Sequence, residues 1–172
     1  MTVAAAPIVA NPDTATGING FTGAPAVVNV LTNDTLNGVP VSLTTVAITT
    51  IVPATSIGGG PVPVLNPVTG NVDVPAGTPA GTYTITYTIC EQLNPTNCST
   101  TTATITVVAA VIDAVNDTFG PVNGATGNPS AGNAFANDTL NGAPVNPAAI
   151  VATVTTPATP IGGGPVPTLD TA

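Results

Sequence analysis

The chain has 172 residues, no Lys, Arg or His, and eight acidic residues, for a formal charge of −8. Without imidazole, amine or guanidinium it lacks the usual general base, Schiff-base nucleophile and phosphate clamp, so no enzyme activity is expected. Neutralising the phosphates of nucleic acid or anionic lipid needs Lys and Arg, so neither nucleic acid nor a charged membrane surface is an expected partner.

Reading from the N-terminus, "MTVAAAPIVA" has no basic segment and too short an apolar core for a signal peptide. The uncharged stretch from Thr35 to Val72 is interrupted by Pro40, Pro53 and Gly58–Gly60, so direct membrane insertion is not expected. Within and around it, Ala26–Leu31, Val39–Leu43, Val46–Val52, Val62–Leu65 and Asn71–Val74 are candidate strands separated by Gly, Pro and Asn turn signals. The clearest strand is "TYTITYTIC" (Thr82–Cys90), where Tyr83, Ile85, Tyr87 and Ile89 alternate with Thr. That period of two predicts a strand buried on one face. "CSTTTATITVV" (Cys98–Val108) continues it, with Ala103, Ile105 and Val107 predicted inward and Thr100, Thr102, Thr104 and Thr106 outward. No stretch has useful helical amphipathicity.

Displaced by 104 residues, the sequence matches itself without gaps: 34 of the 68 pairs between 1–68 and 105–172 are identical. A fixed ungapped period means a tandem array of like-folded units. The expected division is residues 1–9 as the tail of a preceding repeat, 10–112 as one complete repeat, and 113–172 as the first two-thirds of another. The second copy has no counterpart of Thr69–Thr104, so a longer array, or strands supplied by a neighbour, is expected. A unit of about 104 residues with some seven short strands points to an all-β fold of tandem immunoglobulin-like β-sandwich repeats. Five aromatic residues and no Trp imply a core of small β-branched side chains.

Cys90 and Cys98 end the two best strands. Opposing them sets Thr88 against Thr100, Thr86 against Thr102 and Tyr83 against Ile105, matching polar to polar and apolar to apolar. A disulfide across "EQLNPTN" is therefore expected, and with it an oxidising setting. A metal-binding or reactive thiol pair is the alternative, for which no His or third Cys is present.

"NDTLNG" occurs at Asn33–Gly38 and again at Asn137–Gly142. One reading is a turn whose Asn and Asp side chains bond nearby backbone. Another is calcium, which takes carboxylate, amide and backbone oxygens. Candidate ligands are Asp13 and Asp34 in the first copy and Asp113, Asn116, Asp117 and Asp138 in the second. Val9 and Pro12 stand where Asp113 and Asn116 stand in the second copy, so a weaker first site is expected. A third reading is glycosylation. Asp-Thr precedes a small or aliphatic residue at Thr14, Thr35, Thr139 and Thr171, and Asn33, Asn97, Asn116 and Asn137 occupy N-x-S/T sequons. The Asp-Thr pattern resembles the O-glycosylation motif of exported proteins in the phylum of the gliding bacteria.

"DAVNDT", "AGNAFANDTLNG" and "NVDVPAGTPAGTYTITYTICEQLNPTNCSTTTATITV" resemble the Ig-like or cadherin-like tandem repeats of giant secreted bacterial surface proteins, including adhesins of gliding bacteria exported by type IX secretion. The likeness spans essentially the whole chain. It implies a cell-surface stalk, adhesin or extracellular filament, with calcium between units carried onto Asp13, Asp34, Asp117 and Asp138. Lys–Asn cross-links, used by some surface stalks, are excluded by the absence of Lys. Expected partners are neighbouring copies of the same protein, in a homo-oligomer or filament, and a host or prey surface. The Thr-rich faces, lacking charged gatekeepers, suggest lateral assembly. The alternative is a carbohydrate- or surface-binding module using Gly58–Pro63 or Glu91–Asn97. "IGGGPVP" offers no aromatic platform, so a strand connection is the plainer reading of it.

Overall fold

Alternating Thr and apolar residues build the two longest strands and, through them, the core. In the computed structural model, which describes residues 4–170, the chain forms two units, Met1–Ala110 and Val111–Ala172. The strands of the first are β1 (Ile8–Val9), β2 (Asp13–Asn19), β3 (Ala24–Asn29), β4 (Thr35–Leu36), β5 (Val39–Pro40), β6 (Val46–Val52), β7 (Val64–Leu65), β8 (Asn71–Val74), β9 (Gly81–Glu91) and β10 (Cys98–Val108). One sheet has the order β2-β10-β9-β6 and a second β3-β8-β7; a small third joins β1, β4 and β5. β2 runs parallel to β10, and the other pairs in these sheets are antiparallel.

The register of β9 on β10 is the predicted one: Cys90 faces Cys98, Thr88 faces Thr100, Thr86 faces Thr102 and Tyr83 faces Ile105. A disulfide joins Cys90 to Cys98. Inward-pointing Tyr83, Ile85, Tyr87, Ile89, Ala103 and Ile105 are each no more than 1 % exposed. They share one buried cluster with Leu65, Val72 and Val74 from the other sheet. Fully burying one such side chain stabilises by about 1.5–3 kcal/mol, so these strands carry most of the fold. An all-β fold with two sheets around one core is compatible with a β-sandwich.

Several strands differ from expectation. β3 begins two residues earlier than predicted, at Ala24, and stops at Asn29, whose Oδ1 accepts from the Leu31 amide. β5 ends at Pro40, and the predicted run to Leu43 is broken by Ser42, whose carbonyl accepts from the amides of Thr45 and Val46. β7 is two residues, Val64–Leu65. β2 was not anticipated because its period breaks. Ile105 pairs with Ala15 but Val107 with Ile18, so β2 carries one extra residue, and Gly17 there adopts φ +74°. Such a bulge suits glycine and hides the alternation from a period-two reading.

The second unit contains β11 (Ile112–Asp113), β12 (Thr139–Leu140) and β13 (Ala143–Pro144) in one small sheet, and a 3-10 turn at Pro147–Ala149. Among its described residues Leu140 alone is a buried hydrophobic, while Val151 and Ile161 are over 90 % exposed. No helix among the described residues is long and apolar enough to cross a membrane.

Candidate functional site

The repeated hexapeptide makes the same backbone clasp in both units. Asn37 and Gly38 have φ of +53° and +76°, and Asn141 and Gly142 have +54° and +74°. Two successive positive φ values at Asn-Gly make the tight turn of a two-residue hairpin, here joining β4 to β5 and β12 to β13. The hairpin then grips the segment before it. Asp34 Oδ1 accepts from the Asn11 amide at 2.7 Å, and Asp138 Oδ1 from the Val115 amide at 2.7 Å. Asn33 Nδ2 donates to the Pro12 carbonyl, and Asn137 Nδ2 to that of Asn116. The Asn37 amide reaches the Pro7 carbonyl at 2.7 Å, and the Asn141 amide that of Val111 at 2.8 Å. Each conserved-in-copy side chain thus satisfies backbone that no strand partner reaches.

In the first unit the clasp also assembles a buried acidic pair. Asp34 is fully buried and Asp13, the first residue of β2, is 5 % exposed. Tyr87, projecting inward from β9, places its hydroxyl oxygen 2.7 Å from Asp13 Oδ2, 2.8 Å from the Val30 carbonyl and 3.4 Å from that of Asn11. Asp34 Oδ2 is buried with no hydrogen-bond partner among the described residues. One hydroxyl proton cannot serve three acceptors. Burial pushes the Asp13 carboxyl up to about 6, opposed by the Tyr87 hydroxyl and reinforced by the charge of Asp34. Asp34 is raised by burial too, against the lowering effect of the Asn11 amide and the nearby Tyr87 hydroxyl. Burial, Asp13 and Asp34 together raise Tyr87 well beyond the ordinary phenol range.

This arrangement needs positive charge, and no side chain of the protein is basic. Two sources fit its chemistry. A proton on Asp13 would let that carboxyl donate to the Tyr87 oxygen and free the phenolic hydrogen for the Val30 carbonyl. A hard cation would take the orphaned Asp34 oxygen, Asp13 and neighbouring carbonyls. No cluster of three or more His, Cys, Asp or Glu able to hold a metal occurs among the described residues.

Three of the second unit's candidates, Asn116, Asp117 and Asp138, line one cavity beside its clasp, whereas the glycosylation candidates are scattered. In the second unit Asp113 and Asn116 are exposed, and Asp117 and Asp138 are half-buried. Asp113 pairs with Thr139 across β11 and β12. Thr14 is exposed on β2, Thr35 and Thr139 are half-buried in short strands, and Thr171 lies outside the described residues. Asn33, Asn116 and Asn137 are exposed, whereas Asn97 donates from Nδ2 to Ala6 carbonyl and Glu91 Oε2. In the Gly58–Pro63 stretch the turn bonds to itself, with Ser56 Oγ donating to the Gly60 carbonyl and the Gly60 amide to that of Ile57.

Tyr87 is the site residue that sequence reasoning assigned to the core alone. Its signal was chemical: a phenol on the inward face of a buried strand needs a buried acceptor. No protein-family model matches the chain, and no curated protein matches it.

Proposed function

We propose that the chain is a structural repeat module of an extracellular surface fibre, stalk or adhesin, without catalytic activity. The observation that carries this reading is the clasp: one hexapeptide, 104 residues apart, making equivalent bonds to equivalent backbone in two units. A chain that repeats its structural fastenings, and has no basic residue with which to do acid–base chemistry, is suited to span distance. The Cys90–Cys98 disulfide favours an oxidising location outside the cell. An immunoglobulin-like sandwich is the proposed form of the complete unit. Support comes from the β2-β10-β9-β6 and β3-β8-β7 sheets, and from Tyr83 at the start of β9, whose hydroxyl donates to the Pro79 carbonyl at 2.8 Å. A tyrosine at the start of a strand bonding back to backbone a few residues upstream is in keeping with the corner of such sandwiches.

A calcium ion at the Asp13–Asp34 pair belongs to the same reading, since stiffening each unit at its clasp suits a load-bearing array. Calcium should raise the melting temperature of the chain, and Asp34→Asn should abolish that rise; indifference to calcium removes the ion and leaves the fibre. The fibre itself is tested by stretching single molecules of the secreted protein. Tandem units of this length predict equal unfolding steps, each bounded by the roughly 350 Å reach of an extended 104-residue chain. A single irregular step would count against a repeat array.

A further inference from the structure

The fibre reading leaves open what the outer face of the β2-β10-β9-β6 sheet meets. Along β9 and β10 four successive outward pairs, from Thr82 opposite Thr106 to Thr88 opposite Thr100, are Thr on both strands. Thr14 on β2 extends the lattice beside Thr104. Hydroxyls and methyls therefore repeat about every 4.8 Å across the strands and 6.8 Å along them. Thr88 and Thr100 already bond hydroxyl to hydroxyl at 2.8 Å.

Charge identifies the partner. Every ionisable side chain that carries charge in this protein is acidic, so most surfaces of one copy repel those of another. In the first unit Asp13, Asp34 and Glu91 are buried, and the exposed Asp73 lies on β8 of the other sheet. The outer face of the four-stranded sheet is thus free of charge. A sugar ring would want an aromatic platform, and Tyr83 and Tyr87 both point inward. A cationic partner would find no carboxylate.

Resting on the fibre reading, we propose that this threonine face is a self-association surface on which the same face of a second copy packs. Its area is about 500–600 Å² per copy from the strand dimensions. That is below the roughly 800 Å² per partner of a standard interface, so one contact is weak and a row of repeats multiplies it. Lateral assembly of arrays, with single units associating only at high concentration, is the behaviour this gives. No Lys stands on the face or its edges to oppose it.

Sedimentation equilibrium of the 172-residue chain, from micromolar to millimolar, is the test. The average mass should climb above 16.6 kDa with concentration, and more readily in high salt, where carboxylate repulsion is screened. Thr86→Asp should weaken association at least tenfold, as should Thr86→Lys, while Val68→Asp, exposed away from the face, leaves it unchanged. Mixing Thr86→Asp with Thr86→Lys should restore it, which neither a misfolded variant nor a contact elsewhere would do. A mass fixed at 16.6 kDa throughout, or failure of the mixture to associate, overturns the proposal. Regular unfolding steps with no self-association would sink this face and keep the fibre. Association without regular steps would do the reverse.

Discussion

The same hexapeptide closes the same clasp in both units, yet Asp34 is fully buried and Asp138 only half-buried. What differs is what lies over it. In the first unit β9 brings Tyr87 down on the carboxylates; the described part of the second unit has no such strand. The clasp is therefore a local device, made within about 30 residues of chain, whereas the strained electrostatics of Asp13 and Asp34 are imposed by strands distant in sequence. Local hydrogen bonds survive with or without a core; desolvation requires one.

The largest test of that contrast is a core truncation. Ile85→Ala should cost about 2–5 kcal/mol in calorimetry, whereas Ile161→Ala, at 96 % exposure, should leave the melting profile alone. Reducing the disulfide should follow, lowering the stability of the first unit by about 2–3 kcal/mol from the entropy of its short closed loop. Equal effects on spectroscopic reporters in both units would show that the two do not unfold separately.

Replacing Asp34 by Asn removes a buried charge while keeping an acceptor for the Asn11 amide. Without calcium at neutral pH, this should raise the melting temperature by a few degrees, on the order of 1 kcal/mol. Asp138→Asn should do far less. The pH dependence has a matching sign. The folded Asp13 carboxyl sits near 6, above its ordinary 3.8, so the folded state holds a proton that the unfolded chain releases. That contribution is fully present below about 4 and lost as pH rises through about 6, so melting temperatures should fall across this window. In Asp13→Asn the fall should flatten. The most even effect should be at the turns: Gly38→Ala and Gly142→Ala each disfavour a positive φ and should cost about 1 kcal/mol alike.

Long-range pairing was legible where side-chain chemistry alternated cleanly. β9 and β10 could be read with their register, because a slip of one residue would bury Thr and expose Ile. β2 could not, since its bulge at Gly17 breaks the period, and two-residue strands such as β1 and β4 carry too little pattern to detect. For the site, Asp13 and Asp34 were identifiable from repetition alone. Their convergence under Tyr87 was not, because it depends on a contact 74 residues apart that periodicity does not encode. In the second unit the repeated Asn and Asp positions were likewise legible, and Asn116, Asp117 and Asp138 do meet at one cavity.

The central claim, that the chain is a unit of a repeated extracellular fibre, is tested most directly by electron microscopy of the native secreted protein. The account predicts long strands beaded at one-unit intervals, gathered side by side into bundles. Isolated globular particles with no repeating subunit along any axis would contradict it.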